Sequence, residues 1–221
     1  MTTLLQITER GLYCAAGDFY IDPWQPVQRA VITHAHADHA RPGSRHYLTA
    51  QPGARTLRRR VDTDHARAQG QPPPHITPLP YGEKLVTNGV TLSLHPAGHL
   101  IGSAQVRMEY RGEVWVVSGD YKTEADATCI PFEPVPCPTF ITESTFGLPI
   151  YAWRPQAEIM AEINDWWRTN QANGRTSILY AYALGKAQRL LAGLGRVARF
   201  CDPVRESLQD PRPSRVAIDP A

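Results

Sequence analysis

Short apolar-rich runs, broken by polar and turn-forming residues, fill the first half of the chain and predict strands rather than helices. "LLQIT" (4–8), "LYCAA" (12–16), "FYID" (19–22), "AVIT" (30–33) and "HYLTA" (46–50) all carry this pattern. In "EKLVTNGVTLSLHPAG" (83–98), Asn88-Gly89 separates two β-rich runs, the signal of a tight hairpin. "SAQVRMEYRGEVWVVSGD" (103–120) repeats it around Arg111-Gly112. Between these regions "AQPGARTLRRRVDTDHARA" (50–68) predicts a helix. The prolines of "QPPPHITPLP" (71–80) make a connection there and exclude a central strand. Later the pattern becomes helical. "RPQAEIMAEINDWWRTNQAN" (154–173) sets Ile159, Ile163 and Trp166 or Trp167 at helical spacing. A strand in "RTSILYAYA" (175–183) and a helix in "LGKAQRLLAGL" (184–194) follow. Beyond Leu194 arginine and proline dominate, and an atypical, poorly ordered tail is expected over 195–221.

The predicted strand "AVIT" runs into "HAHADH", so His34, His36, Asp38 and His39 fall within six positions. In an extended segment His34 and His36 project to one face, and Asp38 continues it if the segment stays extended. Imidazole and carboxylate together suit zinc, manganese or iron. Composition alone would produce H-x-H-x-D-H about once in two thousand such chains, so chance is a poor account of it. Further ligands are expected at strand ends beside turns. "HPAGHLIGSAQV" supplies His99 between Gly98 and Gly102, and "VWVVSGDYK" ends a strand at Asp120, a carboxylate able to bridge two ions. His95 alternates with apolar residues and reads as packing, while His46, His65 and His75 read as surface or structural.

Composition adds limits. The 221 residues are 42% hydrophobic and 20% charged, an ordinary globular balance. No apolar run approaches the roughly 20 residues of a membrane span, and neither a basic leader nor a signal core opens the sequence, so a cytoplasmic location with no membrane partner is expected. The four cysteines form no CxxC pair and read as buried or incidental thiols. Net charge is only +2, yet Arg41, Arg45, Arg55, Arg58, Arg59, Arg60 and Arg67 crowd behind the histidines. That run is either a solvated face or a phosphate-tracking surface.

"THAHADH", "AGHLIGSA", "SGDYK" and "TESTFG", in this order, resemble the metallo-β-lactamase superfamily within its β-CASP nuclease branch. "AYALGKAQRLL" resembles the opening of that branch's cap domain, and the likeness is nearest to the bacterial ligase-associated DNA exonucleases. The resemblance covers roughly residues 4–194. It implies an α/β fold: an αββα sandwich over 1–150, with the start of a β-CASP-like α/β cap over 151–194. It also implies His34, His36 and His99 on one metal ion, Asp38 and His39 on a second, and Asp120 bridging them. Asp22 matches the early aspartate that orients the ligand loop. Glu143 matches the acidic residue that manages the leaving group's proton, which makes Asp38, Asp120 and Glu143 the catalytic set.

The implied function is metal-dependent hydrolysis of phosphodiesters, as a DNA exonuclease working in repair alongside a DNA ligase. Up to two Zn2+ ions are expected, the second held weakly, with Mn2+ an alternative, and DNA ends or single strands as partner. RNA processing, hydrolysis of a thioester or lactam on the same fold, and a non-catalytic metal-binding fragment are the alternatives. The family supplies a late histidine ligand and a histidine partner for Glu143, whereas no histidine follows Asp120 in this chain. A truncated or frame-shifted, slow or inactive product is therefore expected.

Overall fold

The short strand-like runs of the first half resolve into two sheets in the computed structural model, which describes residues 3–68, 70, 73–194, 199–200 and 214–219. The first sheet contains β1 (Gln6–Thr8), β2 (Gly11–Cys14), β3 (Phe19–Ile21), β4 (Arg29–Ile32), β5 (His46–Ala50) and β6 (His75–Leu79), in that spatial order. Pairing is antiparallel up to β3 and parallel from β3 to β6. β6 is the proline-rich stretch, so it is more than a connection. Its place is the sheet edge, with Pro78 opposite Thr49, because proline cannot supply the N–H that a central strand needs.

The second sheet is built from β7 (Lys84–Thr87), β8 (Val90–Pro96), β9 (Ala104–Tyr110), β10 (Glu113–Val117) and β11 (Thr139–Ile141). Its order is β11-β10-β9-β8-β7, with only β10–β11 parallel. Both predicted hairpins are present. Asn88 and Gly89 sit at φ 48° and 82°, and Arg111 and Gly112 at 50° and 83°. Two successive left-handed residues match the right-handed twist of the flanking strands.

The two sheets face each other across one apolar core. Phe19, Ile21 and Val31 of the first sheet join Leu92, Leu94, Val106 and Met108 of the second. Ile32 and Tyr47 are just as buried. Ile32 has the opposite parity to Val31 and so lies on the other face of the sheet. Helix α1 (Ala54–Val61) packs on β5 and β6 and buries Leu57 and Val61; the short α2 (Asp64–Ala68) follows. This α/β arrangement is the α–β–β part of the expected αββα sandwich.

Contacts divide the chain into Met1–Glu143 and Ser144–Ala221. The second unit holds α3 (Gln156–Ala172), β12 (Ser177–Ala181), α4 (Lys186–Gly193), β13 (Arg199–Phe200) and β14 (Ser214–Asp219). β14 pairs antiparallel with both β12 and β13. Its small core joins Trp167 and Leu194 with Ile163 and Leu179, so Trp167 rather than Trp166 faces inward, and Ile159 stays exposed. A strand at 214–219 is absent from the sequence expectation. The alternation of Val216 and Ile218 is brief, and the arginine- and proline-rich composition around it hides the pattern. Residues 195–198, 201–213 and 220–221 of the expected tail lie outside the described residues.

Candidate metal centre

Three chain segments end at one place. β4 stops at Ile32 and its loop carries His34, His36, Asp38 and His39; the β8–β9 turn carries His99; β10 runs into Asp120. The Thr33 carbonyl accepts the Ala104 N–H at 2.8 Å, tying the end of β4 in one sheet to the start of β9 in the other. Glycines permit the crowding. Gly102 has φ 77°, and a Cβ there would overlap the backbone of Gly53. Gly119 has φ 57°, and a Cβ would lie 2.6 Å from that of Thr33.

The histidine segment does not stay extended. After His36 the chain turns, with the Ala40 N–H donating to the His36 carbonyl at 2.8 Å. The Asp38 side chain is left 75% exposed, and His39 folds back under the loop. Asp22 is the reason. Its carboxylate accepts the Thr33 N–H at 2.8 Å and the Thr33 hydroxyl at 2.5 Å, and meets His39 Nδ1 at 2.7 Å. One carboxylate thus fixes both ends of the loop, leaving His39 Nε2 turned towards Asp120 Oδ1 at 3.3 Å and Asp38 Oδ2 at 3.6 Å.

On the other side of Asp120, Oδ2 lies 3.7 Å from both His34 Nε2 and His99 Nε2. His36 Nδ1 lies 2.9 Å from His34 Nε2 and 3.4 Å from His99 Nε2. One ligand atom from each of these four residues falls within 4.8 Å of every other. A tetrahedral zinc site with bonds near 2.0–2.1 Å has donors about 3.3 Å apart, and the observed spacings bracket that value. The donor set fits a divalent ion. His39 lies against the same group, its ring 4.1 Å from that of His34, with its Nε2 facing the other oxygen of Asp120 and Asp38 beyond it.

The electrostatics follow from burial. Desolvation, helped by the neighbouring His39 and His36, pushes His34 well below the ordinary imidazole range and keeps it a neutral donor. For His39 desolvation also opposes protonation, but hydrogen bonds to Asp120 and Asp22 outweigh it and raise the group to about 10. Burial works against ionised Asp120 too, yet the hydrogen bond with His39 and the surrounding imidazoles bring it down to about 2.

Glu143 reaches the same place from the end of β11. Its N–H donates to Ser118 Oγ at 3.4 Å, and its Oε1 accepts the Tyr121 N–H at 3.1 Å. With Asp22, Asp38, His39 and Asp120 it lines a cleft of about 370 Å³. The seven arginines do not share one surface. Arg41 lines this cleft, and Arg60 Nε donates to the Ala35 carbonyl at 3.2 Å, which sets α1 against the ligand loop. Arg45 and Arg67 instead line a separate cavity of about 450 Å³ with His46 and His75, and Arg67 pairs with Asp62 at 2.9 Å. His95 lies between Ser93 Oγ and Glu133 Oε1, each at 3.0 Å, away from the histidine group.

Some contributors have no sequence signal of their own. Thr33 joins Asp22 to His34 Nδ1, which it meets at 3.1 Å. Ser103 Oγ accepts the His99 and Leu100 N–H groups and shapes the turn. Trp24 stands at the cleft rim. Asp22, at the end of "FYID", is named only through the resemblance.

No family model matches the chain. A probable DNA ligase of Opitutus terrae is 32% identical over 187 residues, covering 83% of this chain and 17% of the relative. Ribonuclease TTHA0252 of Thermus thermophilus is 29% identical over 191 residues, covering 78% of this chain and 44% of the relative. The chain therefore spans less than half the length of either relative. Among solved structures, a Cronobacter sakazakii metallo-β-lactamase with a HARLDQ motif aligns with a TM-score of 0.31, 22% identity and 44% of each chain covered. No helix among the described residues is long and apolar enough to cross a membrane.

Proposed function

We propose that the chain, which resembles the β-CASP branch of the metallo-β-lactamase superfamily, hydrolyses phosphodiester bonds at the ends of DNA, in the cytoplasm and in company with a DNA ligase. The observation that carries this reading is the division of Asp120, with one oxygen towards His34 and His99 and the other towards His39, at the floor of a cleft that also holds Glu143. Joint orientation of two donor sets by one carboxylate suits the two-ion displacement chemistry of nucleases. Ligase association rests on the name of the Opitutus terrae relative alone.

When bound, a divalent ion supplies a polarised phosphoryl oxygen and an attacking water that ionises near neutrality. Zn2+ suits the donors, with Mn2+ as the alternative. His34, His36, His99 and Asp120 would hold one ion; Asp38, His39 and Asp120 would hold a second more weakly, having fewer protein donors. The neutral state of buried His34 leaves its Nε2 lone pair ready to coordinate. Asp22 accepts a hydrogen bond from His39 Nδ1–H and so would leave Nε2 for binding. Glu143, positioned by the Tyr121 N–H, would pass the proton given up by the attacking water to the leaving oxygen.

The test is nucleotide release from end-labelled single-stranded DNA with added Zn2+ or Mn2+, a closed circle of the same sequence serving as control. Asp120→Asn should reduce cleavage by more than about a hundredfold, since loss of an outer partner of a ligand alone costs 10–100-fold. Glu143→Gln should slow cleavage while metal content stays at the wild-type value. Strong cleavage by Asp120→Asn, or equal cleavage of the circle, would show that this site or its end preference has been misassigned.

A further inference from the structure

The lining of the cleft is not all acidic and imidazole: Trp24, Arg41, Leu12 and Ile21 also belong to it. Trp24 is 51% exposed, an unusual position for the largest apolar side chain in a sandwich whose core buries Phe19 and Ile21 nearby. Its main chain is nevertheless held on both sides. The Trp24 N–H donates to the Arg10 carbonyl at 2.9 Å, and Arg41 Nη1 donates to the Trp24 carbonyl at 3.2 Å. Gly11, at φ 119°, lets β2 approach closely: a Cβ there would lie 3.3 Å from Pro23 Cα and 3.5 Å from Trp24 N. Asp22, two residues earlier, adopts a left-handed φ of 44° while it grips Thr33 and His39. The turn that positions the ligand loop therefore also sets Trp24 at the rim. Arg41 offers five N–H donors and this bond uses one, leaving a cationic fork beside the indole.

An indole face next to a guanidinium matches the two features every nucleotide presents, a π face and an anionic phosphate. Within a duplex the faces of a base are covered by its neighbours, so only an unpaired base can lie on Trp24. Resting on the nuclease reading above, we infer that the cleft takes an unpaired nucleotide whose base stacks on Trp24 and whose phosphate meets Arg41. The strand is thereby held as a single strand beside Asp38, His39 and Asp120. A thioester or lactam substrate has no use for this pair.

The test separates the two levels. Metal-loaded protein is titrated with a phosphorothioate hexathymidylate, read by intrinsic fluorescence and by anisotropy of a labelled oligonucleotide. Base–aromatic stacking predicts that Trp24→Leu, which keeps apolar bulk without a π face, weakens binding about tenfold, within the roughly 5- to 100-fold range expected for one stacked base. Trp24→Phe should remain within about threefold of wild type, because a ring face is retained. Arg41→Gln keeps a donor for the Trp24 carbonyl but removes the charge, so the slope of log affinity against log salt should fall by about 0.7. A blunt duplex of equal length should bind more weakly to wild type and respond to none of the three substitutions. Equal affinity of wild type and Trp24→Leu for the single strand would overturn the stacking assignment. Separately, failure of metal-loaded wild type to hydrolyse methyl p-nitrophenyl phosphate or DNA would remove the nuclease reading, whatever the binding shows.

Discussion

Replacing Asp22 by asparagine should damage the second metal position far more than the first. The carboxylate accepts two hydrogen bonds from Thr33 and one from His39 Nδ1. Asparagine can keep the Thr33 N–H with its carbonyl oxygen, but an NH2 group replaces the oxygen that faces His39. That NH2 can only donate, so Nδ1 must become the bare nitrogen and the proton moves to Nε2. Nε2 is the atom 3.3 Å from Asp120 Oδ1 and 3.6 Å from Asp38 Oδ2, and a protonated nitrogen cannot coordinate. Loss of such an orienting partner typically lowers metal affinity about 10–100-fold, or roughly 1.4–2.7 kcal/mol. The set of His34, His36, His99 and Asp120 is linked to Asp22 one step removed, through the Thr33 hydroxyl and His34 Nδ1, and should lose less affinity than the second. The metal-free fold should also lose stability by about 1.5–3 kcal/mol, the value of one hydrogen bond to a charged group. Competition against a chromophoric chelator resolves the two affinities, and urea unfolding in excess chelator measures the fold. Equal weakening of both sites would refute the tautomer argument. A stability loss with unchanged affinities would assign Asp22 to the fold alone.

Gly102→Ala should destabilise the protein by about 2–5 kcal/mol, combining left-handed strain with overlap on the Gly53 backbone. Gly112→Ala, at φ 83° with open space around it, should cost only about 1 kcal/mol. Equal urea midpoints for the two would contradict the close approach beside His99. Metal-free protein should be most stable near pH 6.5. Burial depresses His34 below the ordinary imidazole value of about 6.5, so its burial becomes unfavourable as pH falls below that point. His39 is raised, so its stabilisation is complete below 6.5 and is lost as pH rises through about 10. Urea midpoints that climb steadily from pH 6.5 to 9.5 in excess chelator would exclude the imidazolium between Asp22 and Asp120.

The strands that carry the site were legible because local chemistry decides them. The apolar run Ala30–Ile32 calls for a strand buried on both faces, and Asn88-Gly89 and Arg111-Gly112 accept the left-handed conformation their turns require. Weak local signals gave less. β11 (Thr139–Ile141) is three residues long and owes its existence to parallel pairing with β10. β6 contains a proline, which local preference counts against a strand, yet its edge position removes the objection.

Residue type and spacing were enough to nominate His34, His36, Asp38, His39, His99 and Asp120, because a dense run of imidazoles and carboxylates at a strand end has few other physical uses. The order of the motifs added Asp22 and Glu143 by resemblance. Distance was the missing quantity. His99 lies more than sixty residues from His36 along the chain, yet their ring nitrogens are 3.4 Å apart. Only the facing of two sheets and the Thr33–Ala104 hydrogen bond bring them together. The same tertiary arrangement turns the loop after His36, exposes Asp38, divides the oxygens of Asp120 between two donor sets, and leaves Trp24 at the rim. Sequence pattern governs which groups are offered, since side-chain chemistry and backbone preference are local. Which groups meet depends on packing between segments distant in the chain, and that is settled only when the sheets close on their common core.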